Sequence, residues 1–86
     1  MSEAQIGKVT HYFDHISVAV LALTKALAVG ETVRFSGHTT DFKQKVTSLQ
    51  VEHKPIEKAK ARDDVAMKVE QRVHPNDAVF RVTGED

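Results

Sequence analysis

Apolar and polar residues alternate along much of this chain with the two-residue period of a strand. Over 65–73, Val65, Met67, Val69 and Val73 face one way while Lys68, Glu70 and Arg72 face the other, as a half-buried antiparallel strand requires. Phe80 and Val82 repeat the pattern near the end, and Val33 and Phe35 carry it in the middle. The same reading predicts strands at 6–13, 16–23, 32–37, 42–52, 56–60, 65–73 and 78–83. Within 42–52 the apolar set runs Phe42, Val46 and then changes parity to Leu49 and Val51, which predicts a bulge near Thr47 and Ser48 that bends the strand around a corner. The expectation is an all-β fold: a single six- to seven-stranded antiparallel closed β-barrel, with Val33, Phe35, Phe42, Val65, Met67, Val69, Phe80 and Val82 inside.

Turn chemistry supports the strand ends. Asp14 and His15 can close a tight hairpin, Gly30 supplies a flexible entry, and Pro75-Asn76-Asp77 fixes φ and then tolerates a left-handed residue. The segment 17–29 reads two ways: Ala19, Leu21, Ala22, Leu23, Ala26, Leu27 and Val29 also suit an amphipathic helix capped by Gly30. Against the helix stand the β-branched Ile16, Val18 and Val20 on one alternating face. No repeat of useful period is visible, and the first five and last three residues read as frayed ends around a core of 6–83.

The 86 residues make one domain, 1–86, with room for a modest core and no deep interdomain cleft. Hydrophobic residues at 41% and charged residues at 28% are those of an ordinary soluble protein, and no apolar run reaches the ~20 residues of a membrane helix. The start lacks the basic and apolar regions of a secretory signal, and the chain has no cysteine, so a cytoplasmic location is expected.

Charge changes the picture more. Lys and Arg number 12, as do Asp and Glu, but 43–62 holds six basic and two acidic residues. Lys43, Lys45, Lys54, Lys58, Lys60 and Arg62 form a positive stripe that can meet phosphates, or equally serve as a solvated face. Tyr12 or Phe13 is expected to leave its ring outside, since alternation sends these neighbours to opposite faces; Tyr12 then joins the six cations as a candidate RNA-binding residue by stacking.

Catalytic patterns are weak. The five histidines are dispersed, and His11 and His15 alone do not make a zinc site. Asp63 and Asp64 are adjacent and diverge in a strand, and no serine has a nucleophile-elbow context. There is no phosphate loop, so neither nucleotide nor any other cofactor is expected, and the chain reads as a non-enzyme.

Residues 29–37 (VGETVRFSG), the Val46-Thr47-Ser48-Leu49-Gln50 segment and 59–69 (AKARDDVAMKV) occur in an order that resembles the β-barrel second domain of elongation factor Tu and a barrel of bacterial-type initiation factor two. Leu27 to Val33 resembles their L-x-x-G-D/E-x-V turn. The resemblance implies a translation-related module without its GTPase, binding tRNA, ribosomal RNA or a protein partner. Similar barrels occur at the end of some collagenase-like peptidases, which implies an alternative: an accessory barrel serving an enzyme on another chain. Where the family has Gly-Asp before a strand, this chain has Arg62-Asp63, so the turn at Arg62 is expected to be reshaped.

Overall fold

A computed structural model describes residues 2–83. Among them are ten strands and no helix: β1 Ser2–Phe13, β2 Val18–Leu23, β3 Leu27–Ala28, β4 Thr32–Ser36, β5 Asp41–Lys45, β6 Leu49–Val51, β7 Lys54–Ile56, β8 Lys58–Ala59, β9 Asp64–Lys68 and β10 Ala78–Thr83. Eight form one antiparallel sheet in the order β5-β4-β10-β1-β2-β9-β6-β7, while β3 and β8 make a separate ribbon. The all-β expectation holds. The helical alternative for 17–29 gives way to β2, whose Ala19, Leu21 and Leu23 are buried in alternation.

The closed barrel is not found. The strand order begins at β5 and ends at β7, and among the described residues no ladder joins them. A side chain ties β5 to the end of β9 instead: buried Gln44 donates from Nε2 to the Lys68 carbonyl at 3.0 Å, and its Oε1 accepts the Glu70 N–H at 2.7 Å. The predicted strand at 42–52 is cut in two, with β5 and β6 well apart in the sheet. Val46 and Leu49 are both buried, so the parity change marks a full break where a bulge was expected.

One turn occurs three times. Residues 28–31 (AVGE), 60–63 (KARD) and 74–77 (HPND) each bond the N–H of the fourth residue to the carbonyl of the first, at 3.2, 3.1 and 3.1 Å. The fourth residue's carboxylate accepts the N–H of the first at 2.8, 2.9 and 2.9 Å. The third residue is left-handed, with φ of 98° at Gly30, 75° at Arg62 and 76° at Asn76. Its N–H donates to Val46, Leu23 and Val9 respectively, at 2.9, 2.9 and 2.7 Å. Each of those buried residues donates back to the fourth residue's carbonyl, at 2.8, 3.0 and 2.8 Å. Every turn is therefore clamped to the core by an exchanged pair of backbone bonds. Leu27, Ala59 and Val73 just before the turns, and Val33, Val65 and Val79 just after, are buried.

The clamp corrects two expectations. A structural repeat exists, at spacings too unequal to register as a period. The turn at Arg62 is not reshaped: Arg62 takes the left-handed conformation, held there by the Asp63 carboxylate and the bonds to Leu23.

Val33, Phe35, Val65, Met67, Val69 and Val82 are buried as expected, but Phe80 is half-buried and Val79 takes its place. The register of β1 against β10 shifts between Gln5 and Gly7, which sends Ile6 into the core and breaks strict alternation in β10. Phe42 is half-buried and stacks on Phe35 with centroids 5.1 Å apart. The expected tight hairpin at Asp14-His15 is a wider turn over 14–17, with Ser17 left-handed at φ 55°. Residues 2–5 are not frayed, since Ser2 to Gln5 pair with Thr83 to Phe80; the last three residues lie outside those described.

Candidate functional site

On the outer face of the sheet, Val20 of β2, Ala66 of β9 and Gln50 of β6 stand in one lateral row. The central residue offers only a methyl group, so the row has a notch between its larger neighbours. The notch runs toward the 14–17 turn as two adjoining hollows of about 270 and 150 Å³, which share Ile16, Val18, Gln50 and Ala66. At one end stand Phe13 and Ile16, 50% and 60% exposed. At the other are Glu52, His53 and Asp64.

Local conformation sets these ends. Val51 pairs with Lys54, so Glu52 and His53 form a two-residue hairpin turn, and both have positive φ, 51° and 67°. That geometry favours Asn-Gly, and two residues with full side chains hold it at some cost. Neither Glu52 nor Asp64 has a cationic partner among the described residues. The groove thus joins an exposed apolar end, with Lys68 beside Val18, to an end that carries the Glu52 and Asp64 carboxylates and His53. A further hollow of about 310 Å³, at Gly7 and Ala22, reflects close strand approach: a Cβ on Gly7 would lie 2.5 Å from the Ala22 carbonyl oxygen.

Two polar clusters lie elsewhere. Thr40 Oγ1 is 3.2 Å from His74 Nδ1, and the nearly buried Asp77 Oδ2 is 3.8 Å from that same nitrogen. A nucleophile relay needs the hydroxyl on one ring nitrogen and the carboxylate on the other, so this cluster cannot pass a proton from Thr40 to Asp77. It packs the 38–40 loop onto the third clamp. In the second cluster Arg34 donates from Nη1 to Glu3 and from Nε to Asp41, each at 2.9 Å. The Asp41 carboxyl is held below its ordinary range by its hydrogen bond to Arg34 and by that residue's charge, and the guanidinium is raised in turn, by Asp41 first and then Glu3. No helix of the described residues is long and apolar enough to cross a membrane, and among them no three metal-ligating side chains gather.

Lys43, Lys45, Lys54, Lys58, Lys60 and Arg62 are all exposed. They are scattered over β5, β7, β8 and the 60–63 turn, and β5 and β7 are opposite ends of the strand order. Tyr12 is half-buried against the core, with the Arg72 guanidinium 6.0 Å from its ring centre. Phe13 is therefore the exposed ring of the pair. Sequence reading missed the groove because Val20, Gln50 and Ala66 come from distant segments; the unusual apolar residue in a turn, Ile16, was its one local signal.

No protein-family model matches the chain. An uncharacterized protease of Methanocaldococcus jannaschii is 34% identical over 77 residues, covering 88% of this chain and 19% of that protein. A collagenase of Porphyromonas gingivalis is 30% identical over 78 residues, covering 88% of this chain and 22% of its own. The chain spans about a fifth of the length of these curated relatives. The fold matches the C-terminal domain of a Geobacillus thermoleovorans protein described as a putative U32 peptidase, with a TM-score of 0.87, 20% identity and 92% of each chain covered.

These similarities correct the functional expectation. The relatives are protease and collagenase proteins, so the resemblance to elongation factor Tu and initiation factor two, and with it the translation and RNA-binding reading, is set aside. The L-x-x-G-E-x-V segment that carried the resemblance is the first clamp. It specifies backbone geometry and is silent about partners.

Proposed function

We propose that the chain is a non-catalytic accessory domain that acts beside a collagenase-like peptidase unit lying outside these residues. The observation that carries the reading is the uneven coverage: nearly the whole chain aligns with about a fifth of a protease. A piece of that size, with a counterpart fold studied as a separate C-terminal domain, suits an add-on better than a hydrolytic centre. The chemistry agrees, because the Thr40-His74-Asp77 cluster uses one nitrogen twice and so cannot activate a hydroxyl.

The test is immunoprecipitation from source cells with an antibody to the domain, followed by mass spectrometry and a gelatin-degradation assay. A peptidase should co-precipitate, or appear as a longer polypeptide containing the domain, and the precipitate should degrade gelatin while the purified domain does not. Gelatin cleavage by the purified domain alone, or a precipitate with ribosomal components and no peptidase, would overturn the proposal.

A further inference from the structure

We infer that the groove across β2, β9 and β6 docks an extended protein segment carrying an apolar side chain and, two residues on, a lysine or arginine. The inference rests on the accessory reading for its partner, the peptidase unit, but its chemistry comes from the groove. Phe13 and Ile16 are exposed large hydrophobic side chains beside a notch whose floor is one methyl group. Such a combination accepts a single aliphatic or aromatic side chain.

The opposite end of the groove selects the charge of the segment. Glu52 and Asp64 are the carboxylates of the larger hollow, and neither is paired among the described residues. A cation on the incoming segment would meet both. In an extended segment residues i and i+2 share a face, so an apolar residue in the notch places the second residue after it toward the carboxylates. The backbone marks the same place: of the five non-glycine residues with positive φ, Glu52 and His53 line the groove and Ser17 lies in the chain between the lining residues Ile16 and Val18. Left-handed backbone at such residues persists where the surroundings fix it, and it collects at binding sites.

The probes are two peptides, acetyl-Gly-Leu-Ala-Arg-Gly-amide and its Glu counterpart, titrated into isotope-labelled domain and followed by amide chemical shifts. The Arg peptide should bind about fivefold more tightly, with shifts centred on Val18, Val20, Gln50, Glu52 and Ala66, and the preference should weaken with salt. Glu52→Gln/Asp64→Asn should abolish the preference while apolar binding survives. Ala66→Leu should fill the notch and abolish binding of both peptides; should that variant fail to fold, Phe13→Ser/Ile16→Ser provides the same test from the exposed end. Equal binding of the two peptides, no binding, shifts centred elsewhere, or a preference that survives loss of both carboxylates would overturn the inference. Concentration-dependent shifts at Phe13 and Ile16 without peptide would overturn it in favour of a second copy of the chain. Because no peptidase enters these titrations, their failure leaves the accessory role standing, and failure of the immunoprecipitation leaves the groove's chemistry standing.

Discussion

Replacing Arg62 by glycine should stabilise the domain, although it removes a long side chain. Arg62 sits at φ 75° in the second clamp, so its backbone is strained, and its side chain is exposed, so little burial is lost on its removal. A left-handed residue with a Cβ costs about 1–2 kcal/mol. Glycine removes that strain but gives the unfolded chain more freedom, which offsets about 0.4–1 kcal/mol. The net gain should be about 0.5–1 kcal/mol, or about 3–6 °C in Tm for a domain of this size. The first clamp supplies the reverse experiment. Gly30 has φ 98° and nothing within 4 Å of an added Cβ, so Gly30→Ala introduces backbone strain without a clash and should destabilise by about 1 kcal/mol. Asn76→Gly should change stability least, because Asn tolerates this conformation. Urea unfolding followed by far-UV circular dichroism reads all three, with an unchanged m-value as the sign that only the native strain has moved. An Arg62→Gly domain no more stable than the parent, or a neutral Gly30→Ala, would refute the strain argument.

Gln44→Leu leaves the Lys68 carbonyl and Glu70 N–H without their partner and should cost about 2–4 kcal/mol, with faster hydrogen exchange at Glu70; unaltered protection there would sink the idea that one amide ties β5 to β9. Gly37→Ala drives a methyl group into the Asp77 carboxylate and should cost about 1–3 kcal/mol, and a loss below about 0.5 kcal/mol in a urea melt would contradict it. Asp41, whose carboxyl titrates low beside Arg34, contributes stability that is present above its unfolded pKa and disappears as pH falls through the lower folded value. The gap between parent and Asp41→Asn should therefore be constant above about pH 5 and close below about pH 4; a gap that widens on acidification would show the sign to be wrong.

Strand positions were legible where packing is one-sided. Val65, Met67, Val33 and Phe35 alternate because a face is buried and the next is wet, and the structure agrees. Alternation failed where backbone geometry intervened: the irregular β1 register traded Phe80 for Val79, and the capture of Val46 by Gly30 and Glu31 ended a strand that the pattern continued. Closure was not legible, because whether β5 pairs with β7, at the two ends of the strand order, depends on edges that composition does not describe. The six cations lie on β5, β7, β8 and the 60–63 turn, and charge counted along a chain carries no information about which strands become neighbours. The groove is the converse case, assembled from residues whose only common property is the ladder that aligns them.

The three clamps also predict an order of folding. Each ties a turn to a buried residue, and the sequence interval grows from Gly30–Val46 through Arg62–Leu23 to Asn76–Val9. Closing a longer loop costs more chain entropy, and non-local contacts form late unless earlier ones shorten the route. The first clamp draws on a single neighbourhood of the chain, the second then brings β9 against β2, and only with these made does the third join the two ends. A mutation in the first clamp should therefore slow folding, whereas the same change in the third should mainly speed unfolding, and chevron kinetics read the difference.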